Sequence, residues 1–293
     1  MKIIITESQY RVIKEEIIIN ENVDDIDWLI DWFKKVPEEK LKRTFTTKDA
    51  KGKVWTLSRN EILKLLSSDN FVIVTDPSEK LQHNLDTTPA SYSPPSNSKY
   101  PGKILISGDW KKIIKTSPAY TDIKNPMGAV IHHEKIHNLQ YQQADTSKTD
   151  YDSRSKANNK SQWYKKVSGF CKLNTNPFCK KARAWDITEY LKKPEEIYAH
   201  LFTIREYLGI QPMDIITNVN MTIQNEIEIA NVSVSVSRDG KVIQLPIKNM
   251  NTNSTTFQIL YCCNKSFKET LMYLHNTLAS IENPKQGDGN YLA

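Results

Sequence analysis

One short segment, His133-Glu134-Lys135-Ile136-His137, constrains this chain more than any other. It follows Asn125-Pro126, an N-cap residue with proline at the first helical position, so we expect a helix that runs to about Gln143. Histidines four residues apart project from the same face of such a helix, one turn apart. The chain has six histidines in 293 residues. In a random chain of this composition the pattern His-Glu-x-x-His is expected only about 0.007 times. We therefore interpret the segment as a site and not as an incidental polar face.

The spacing of the two histidines predicts a metal site. Two imidazoles one helical turn apart can both reach one Zn²⁺ at about 2.0–2.1 Å. Glu134 follows the first histidine, where a carboxylate can take a proton from an attacking water and pass it to a leaving amine. We predict His133 and His137 as metal ligands, Glu134 as the catalytic general base and Zn²⁺ as the cofactor. His132 points about 100° away from His133 and is expected to pack or to support the ligands.

A third protein ligand has to come from another part of the chain. Gln140 and Gln143 stand where an astacin-like extension requires glycine and histidine, which excludes that arrangement. No acid occurs between Asp152 and Asp186, so the close spacing of a thermolysin-like glutamate is excluded as well. The acids that remain are Asp145, Asp150, Asp152, Asp186, Glu189, Glu195, Glu196 and Glu206.

Among these acids we favour Glu196 as the third ligand. It opens an amphipathic helix that begins at Pro194, and a rigid helix facing the first is well suited to fix a carboxylate. Glu195 is the alternative, since one of two adjacent acids must point elsewhere. His200 lies four residues beyond Glu196 on the same face. We predict a supporting catalytic role for His200, as a donor to the developing oxyanion or as a partner of Glu196, with a surface histidine as the alternative.

The two motifs, His133-Glu134-x-x-His137 and Pro194-x-Glu196-Ile197-x-Ala199, resemble those of gluzincin-type zinc metallopeptidases. In particular they are similar to the motifs of small peptidases encoded by bacteriophages. The resemblance covers roughly residues 102–208, and the chain departs from the family in the long spacing between its two motifs. It implies a peptide or protein substrate, His133, His137 and Glu196 as zinc ligands, and Glu134 as the base.

The same resemblance implies an α+β fold. It predicts a zincin-like core with a short twisted sheet and two active-site helices. The segment pattern on either side of this core predicts N- and C-terminal α/β additions. The edge strand of the sheet is expected at Lys103–Ser107, beside the active-site helix, where it can hold an extended peptide by strand addition.

Composition shifts along the chain predict three regions. Residues 1–90 are expected to form an N-terminal α+β region, 91–212 the catalytic core and 213–293 a C-terminal α+β region. The proline-rich stretch from Thr87 to Pro101 favours a linker at the first boundary. Periodicity predicts helices at Val23–Val36, Met213–Ile229 and Ser266–Ile281, and strands at Phe71–Val74, Val242–Leu245 and Thr256–Tyr261.

A basic insertion, at about residues 147–183, interrupts the core. The window from Lys148 to Arg183 holds ten basic and two acidic residues, whereas the whole chain has a net charge of +6. We interpret it as a solvated lysine-rich surface. Nucleic-acid binding through this window is an alternative, because Trp163 and Tyr164 interleave with the lysines, but no recognised nucleic-acid module matches and we disfavour that partner.

The four cysteines show no metal-binding spacing. Cys171 and Cys179 lie in the insertion, and Cys262-Cys263 are adjacent. We expect reduced thiols, with a bridge between Cys171 and Cys179 as the alternative.

Hydropathy predicts neither a membrane span nor an export signal. The longest aliphatic runs, such as Ile3–Ile5, have three residues, whereas a span needs about 20. The opening apolar stretch ends at Thr6-Glu7, short of a secretory signal, and this opening looks like the start of many phage reading frames. We therefore expect a cytoplasmic or virion-associated protein. The second function hypothesis is a virion structural or partner-binding protein that retains a zincin scaffold, with viral-particle components as partners.

Overall fold

The computed structural model describes residues 26–39, 41, 46–48, 54–67, 71–93, 102–116, 126–142, 167, 170–171, 174, 177–181, 193–224 and 228–282. Within these ranges the helices are α1 (Ile26–Lys35), α2 (Arg59–Ser67), α3 (Pro77–Gln82), α4 (Trp110–Thr116), α5 (Pro126–Gln142), α6 (Pro177–Lys181), α7 (Pro194–Leu208), α8 (Thr255–Cys262) and α9 (Phe267–Glu282). The strands are β1 (Thr46–Lys48), β2 (Val54–Thr56), β3 (Phe71–Val74), β4 (Ala90–Ser93), β5 (Lys103–Ser107), β6 (Ile215–Gln224), β7 (Ile229–Arg238), β8 (Lys241–Gln244) and β9 (Lys248–Asn251). The predicted α+β class is confirmed.

Strands β1 and β2 pair with each other. In the three-stranded sheet, which we call the first sheet, β5 is the central strand. The order of this sheet is β3-β5-β4, with β3 parallel and β4 antiparallel to β5. The prediction of Lys103–Ser107 as an edge strand is therefore wrong, because this strand is central and β4 is the outermost described strand beside it. Strand β4 lies inside the predicted linker, where prolines on both sides, Pro89 and Pro94, obscured it.

Helix α5 joins two hydrophobic cores. On one side Met127, Val130 and Ile131 pack with residues of β4, β5 and α4. On the other side Ile136 and Leu139 belong to a larger core that includes α7. A helix enclosed in this way is buried almost all round, so a polar side chain on it has a specific environment.

The larger core unites all three predicted regions. Leu29 of α1, Leu201 of α7 and Leu271 of α9 lie in the same cluster, and each is at most 1% exposed. The predicted boundary at residue 90 falls within β4, which pairs with β5. The main core and the first sheet therefore each combine residues from more than one of the three predicted regions.

The second sheet is built on a long hairpin of β6 and β7, and both β8 and β9 pair with β7. The predicted helix at Met213–Ile229 is wrong, because Ile215–Gln224 within this range form strand β6. A register shift between Ile216 and Asn218 breaks the alternation of apolar residues, and this irregularity hid the strand in the sequence.

The segment before the adjacent cysteines is helical. The predicted strand at Thr256–Tyr261 is wrong, since these residues lie in α8, whose N-cap Ser254 accepts a hydrogen bond from the Phe257 amide. A short apolar run fits a buried helix as well as a strand. The other element predictions, at α1, β3, β8 and α9, are confirmed within about three residues.

All four cysteines are in disulfides. Cys171 is bonded to Cys263 and Cys179 to Cys262, across 92 and 83 residues. The expectation of reduced thiols is wrong, and so is the alternative bridge between Cys171 and Cys179. The partners are distant in sequence, so only the tertiary fold brings them together.

Most of the basic insertion, including Trp163 and Tyr164, lies outside the described residues, as does the opening segment before residue 26. Among the helices that are described, none has the length and apolar character needed to cross a bilayer.

Candidate metal centre

Helix α5 brings its two motif histidines together. The Nε2 atoms of His133 and His137 lie 3.1 Å apart, and the ring centroids are separated by 4.7 Å. Their side chains are 15% and 10% exposed, so both rings are largely enclosed yet reachable from solvent. The two Nε2 atoms thus lie close together, as two ligand atoms of a single ion must.

Helix α7 supplies a carboxylate to the same point. Glu196 Oε2 lies 3.3 Å from His133 Nε2 and 3.3 Å from His137 Nε2. This glutamate is in the first turn of α7, which begins at Pro194, and α7 packs against α5 through residues such as Ile197 and Ile136 in the main core. It is Glu196, and not its neighbour Glu195, that makes the contacts described here.

The three ligand atoms form a nearly equilateral triangle with sides of 3.1, 3.3 and 3.3 Å. Zinc bonds of 2.0–2.1 Å at tetrahedral angles place neighbouring ligand atoms about 3.3–3.4 Å apart. Two histidines and a glutamate are also a donor set that zinc uses. The geometry and chemistry of these residues therefore fit a divalent metal.

A second combination of donors includes His200. The ligand atoms of His133, Glu196 and His200 all lie within 4.8 Å of one another. This His/Glu/His group can hold a metal ion, and it shares two of its members with the triangle.

The protonation state of Glu196 suits metal binding. Burial by itself raises the pKa of this carboxyl, but the nearby rings of His137 and His133 outweigh that effect and hold the pKa well below its usual range. Glu196 is therefore ionised, which is the form that coordinates a cation.

Glu134 lies against the first sheet. Its Oε2 accepts a hydrogen bond of 2.6 Å from the backbone amide of Tyr92, on β4. Burial raises the pKa of Glu134, and the adjacent His133 and His137 only partly oppose this. A raised carboxyl pKa is typical of a group that accepts and returns protons near neutral pH.

His200 is a buried residue, so the alternative of a surface histidine is wrong. Its ring centroid lies 4.6 Å from that of His133, and its Nδ1 lies 3.0 Å from Thr256 Oγ1 on α8. Burial, aided by the charge of His133, lowers the pKa of His200 well below its usual value, so the ring is neutral.

His132 forms a second link between α5 and α7. Its Nδ1 lies 2.7 Å from Glu206 Oε2, and the ring is fully buried. Glu206, one of the candidate third ligands, is thus placed at His132. The other remaining candidates, Asp145, Asp150, Asp152, Asp186 and Glu189, lie outside the described residues.

Sequence reasoning missed two members of this environment, Tyr92 and Thr256. Both lie in segments whose structure was predicted wrongly, the supposed linker and the supposed C-terminal strand. No local pattern marks a backbone amide or a single hydroxyl as a partner of a remote site.

In comparisons with known proteins, the chain matches no family model, no curated protein and no solved structure. The resemblance to gluzincins therefore stays a prediction.

Proposed function

We propose that this protein is a zinc-dependent peptidase in which His133, His137 and Glu196 hold the metal and Glu134 is the general base. One observation carries the proposal. The donor atoms of His133, His137 and Glu196 form a triangle with zinc-like spacing. The buried carboxylate of Glu134 comes from the same turn of α5 as the two histidines.

The chain's own residues suit hydrolysis. When bound, zinc lowers the pKa of water and polarises a carbonyl oxygen. Glu134 is held by the Tyr92 amide, and its raised pKa favours taking a proton from the attacking water and returning it to the leaving amine. No nucleophilic side chain is required, so the reaction proceeds without a covalent link between enzyme and substrate.

The substrate class follows from the resemblance and not from the cleft. If an extended peptide adds to the first sheet, the outermost described strand beside α5 is β4 and not β5. We infer that a peptide substrate would lie along α5 on the side where Tyr92 meets Glu134.

Metal content tests the ligand assignment. Elemental analysis of the purified protein should find one zinc per chain in the wild type and little in His133→Ala, His137→Ala or Glu196→Gln. Glu195→Gln is the matched control, because it makes the same change one residue away and should keep the zinc. Equal zinc loss in Glu195→Gln and Glu196→Gln, or a wild type that takes up no zinc, would contradict the assignment.

Cleavage tests the role of Glu134. We expect the wild type to cleave members of a quenched fluorescent peptide mixture, and Glu134→Gln to retain zinc while losing about 10²–10⁴-fold in rate. A zinc-loaded wild type that cleaves none of the mixture, or a Glu134→Gln variant as active as the wild type, would overturn the peptidase proposal and favour a structural metal site.

A further inference from the structure

We infer that His200 is a fourth protein ligand of this metal centre, so that three imidazoles and one carboxylate surround one divalent cation. This inference rests on the metal position proposed above and adds a ligand that neither the motif nor the triangle includes.

His200 lies close to two of the proposed ligands. The ligand atom of His200 lies within 4.8 Å of those of both His133 and Glu196. Tetrahedral ligand atoms are about 3.3–3.4 Å apart, so His200 is at most about 1.5 Å farther than this spacing from each of these two ligands. His200 lies one turn beyond Glu196 on the same helix, α7.

The surroundings of the His200 ring also suit a metal ligand. Histidines that bind metals almost always engage their other ring nitrogen with a polar partner, which fixes the tautomer and the ring orientation. Nδ1 of His200 lies 3.0 Å from Thr256 Oγ1, and both residues are buried. With Nδ1 engaged in this way, Nε2 is the nitrogen that serves as the ligand.

The donor chemistry also suits a fourth ligand. Zinc and related ions accept neutral imidazole readily, and four protein donors close a tetrahedral site. A fourth protein donor therefore changes the character of the centre. Peptide hydrolysis would then require either five-coordination or the departure of His200, and the His200→Ala variant would open a position.

The test is a count of imidazole ligands in the zinc-loaded wild-type protein by X-ray absorption spectroscopy. Three imidazoles are expected, and two in His200→Ala. The wild-type spectrum decides the question even if the variant fails to fold. A wild-type centre with only two imidazoles would overturn the inference.

Zinc affinity, measured by competition with a chelator, provides a second readout. Removal of a residue that only hydrogen-bonds a ligand typically lowers metal affinity roughly 10–100-fold, and we expect a loss of this size in Thr256→Val. The zinc affinity of His200→Ala should fall by more than this. His83→Ala, the same substitution at a histidine outside the site, should bind zinc like the wild type. An affinity of His200→Ala within threefold of the wild type would also overturn the inference.

The two proposals fail differently. If the wild type takes up no zinc, or if His137→Ala leaves its uptake unchanged, the proposed function fails. If zinc binds through His133, His137 and Glu196 with two imidazoles only, the proposed function stands and the fourth ligand is wrong.

Discussion

His275 illustrates how neighbouring groups set the state of a buried imidazole. Its Nε2 donates to the Asp214 carbonyl at 2.7 Å, and its Nδ1 accepts from Arg205 Nε at 3.0 Å. These partners require the neutral ring with its proton on Nε2. Burial, together with the charge of Arg205, lowers the pKa of His275 from 6.5 to about 3.

The lowered pKa of His275 predicts a loss of stability in acid. The unfolded chain protonates this ring near pH 6.5 and the folded protein only near pH 3, so the free energy of unfolding should fall as pH drops through that window. The contribution is on the order of a few kcal/mol. Urea unfolding of the metal-free protein at pH 7 and pH 4.5 measures it.

The His275→Gln variant serves as the comparison. It should be less stable than the wild type at pH 7 and should lose less further stability on acidification. His83→Ala should keep the wild-type dependence. An acid sensitivity unchanged in His275→Gln would contradict the assignment.

At the level of elements, both ends of α7 could be predicted from single residues. Pro194 fits the first turn, where its missing amide proton is not needed. Gly209 ends the helix in the left-handed region at φ 74°, with its amide donating to the carbonyls of Arg205 and Glu206. The placement of Glu196 depends on the beginning of this helix and not on its end.

Substitution of Gly209 tests this separation. Gly209→Ala should lower the free energy of unfolding by about 1 kcal/mol, because an L-residue is strained at this φ. Apart from its chain neighbours, no heavy atom of the described residues lies within 4 Å of the added Cβ, so crowding by them adds no cost. Gly209→Asn should cost less, since asparagine tolerates the left-handed region. Thermal unfolding measures both, and zinc uptake should stay at the wild-type level. A Gly209→Ala variant as stable as the wild type would contradict this account.

Elements that are marked by residues within their own segment could be predicted, whereas features that depend on distant segments could not. The prediction of helix α5 rests on a proline at its start and on the histidine motif, both of which lie within the 17 residues of the observed helix, Pro126–Gln142. Strand order depends on pairing between distant segments, so the five residues of β5 do not by themselves determine which strands lie beside it. The bulge in β6 and the short apolar run in α8 gave patterns that favoured the wrong element.

At the level of the whole molecule, two disulfides tie the insertion to the C-terminal region. Cys171 and Cys179 come from the insertion, and Cys262 and Cys263 from the end of α8. The same helix presents Thr256 to His200. Four cysteines allow three pairings, and sequence alone does not choose among them, which is why this connection could not be predicted.

Opening one of these bridges should destabilise the protein strongly. In the chain-entropy treatment, a disulfide that closes a loop of about 90 residues contributes about 4–5 kcal/mol to the free energy of unfolding. We expect the free energy of unfolding of the Cys171→Ala/Cys263→Ala double variant to be lower by this order, as measured by urea unfolding of the metal-free protein. Full reduction should cost less than twice as much, because the two loops overlap. An unfolding midpoint that reduction leaves unchanged would contradict the bridging.

The paired sulfurs also bear on how the protein matures. Before they are joined, the four thiols form a donor set that zinc accepts readily, and they would compete with the imidazoles for the ion. Once oxidised, the sulfurs no longer act as thiolate donors. The order of events then matters: a chain that acquires its crosslinks first can load the ion only at the histidines, whereas a chain that meets zinc first risks being trapped with the ion on sulfur.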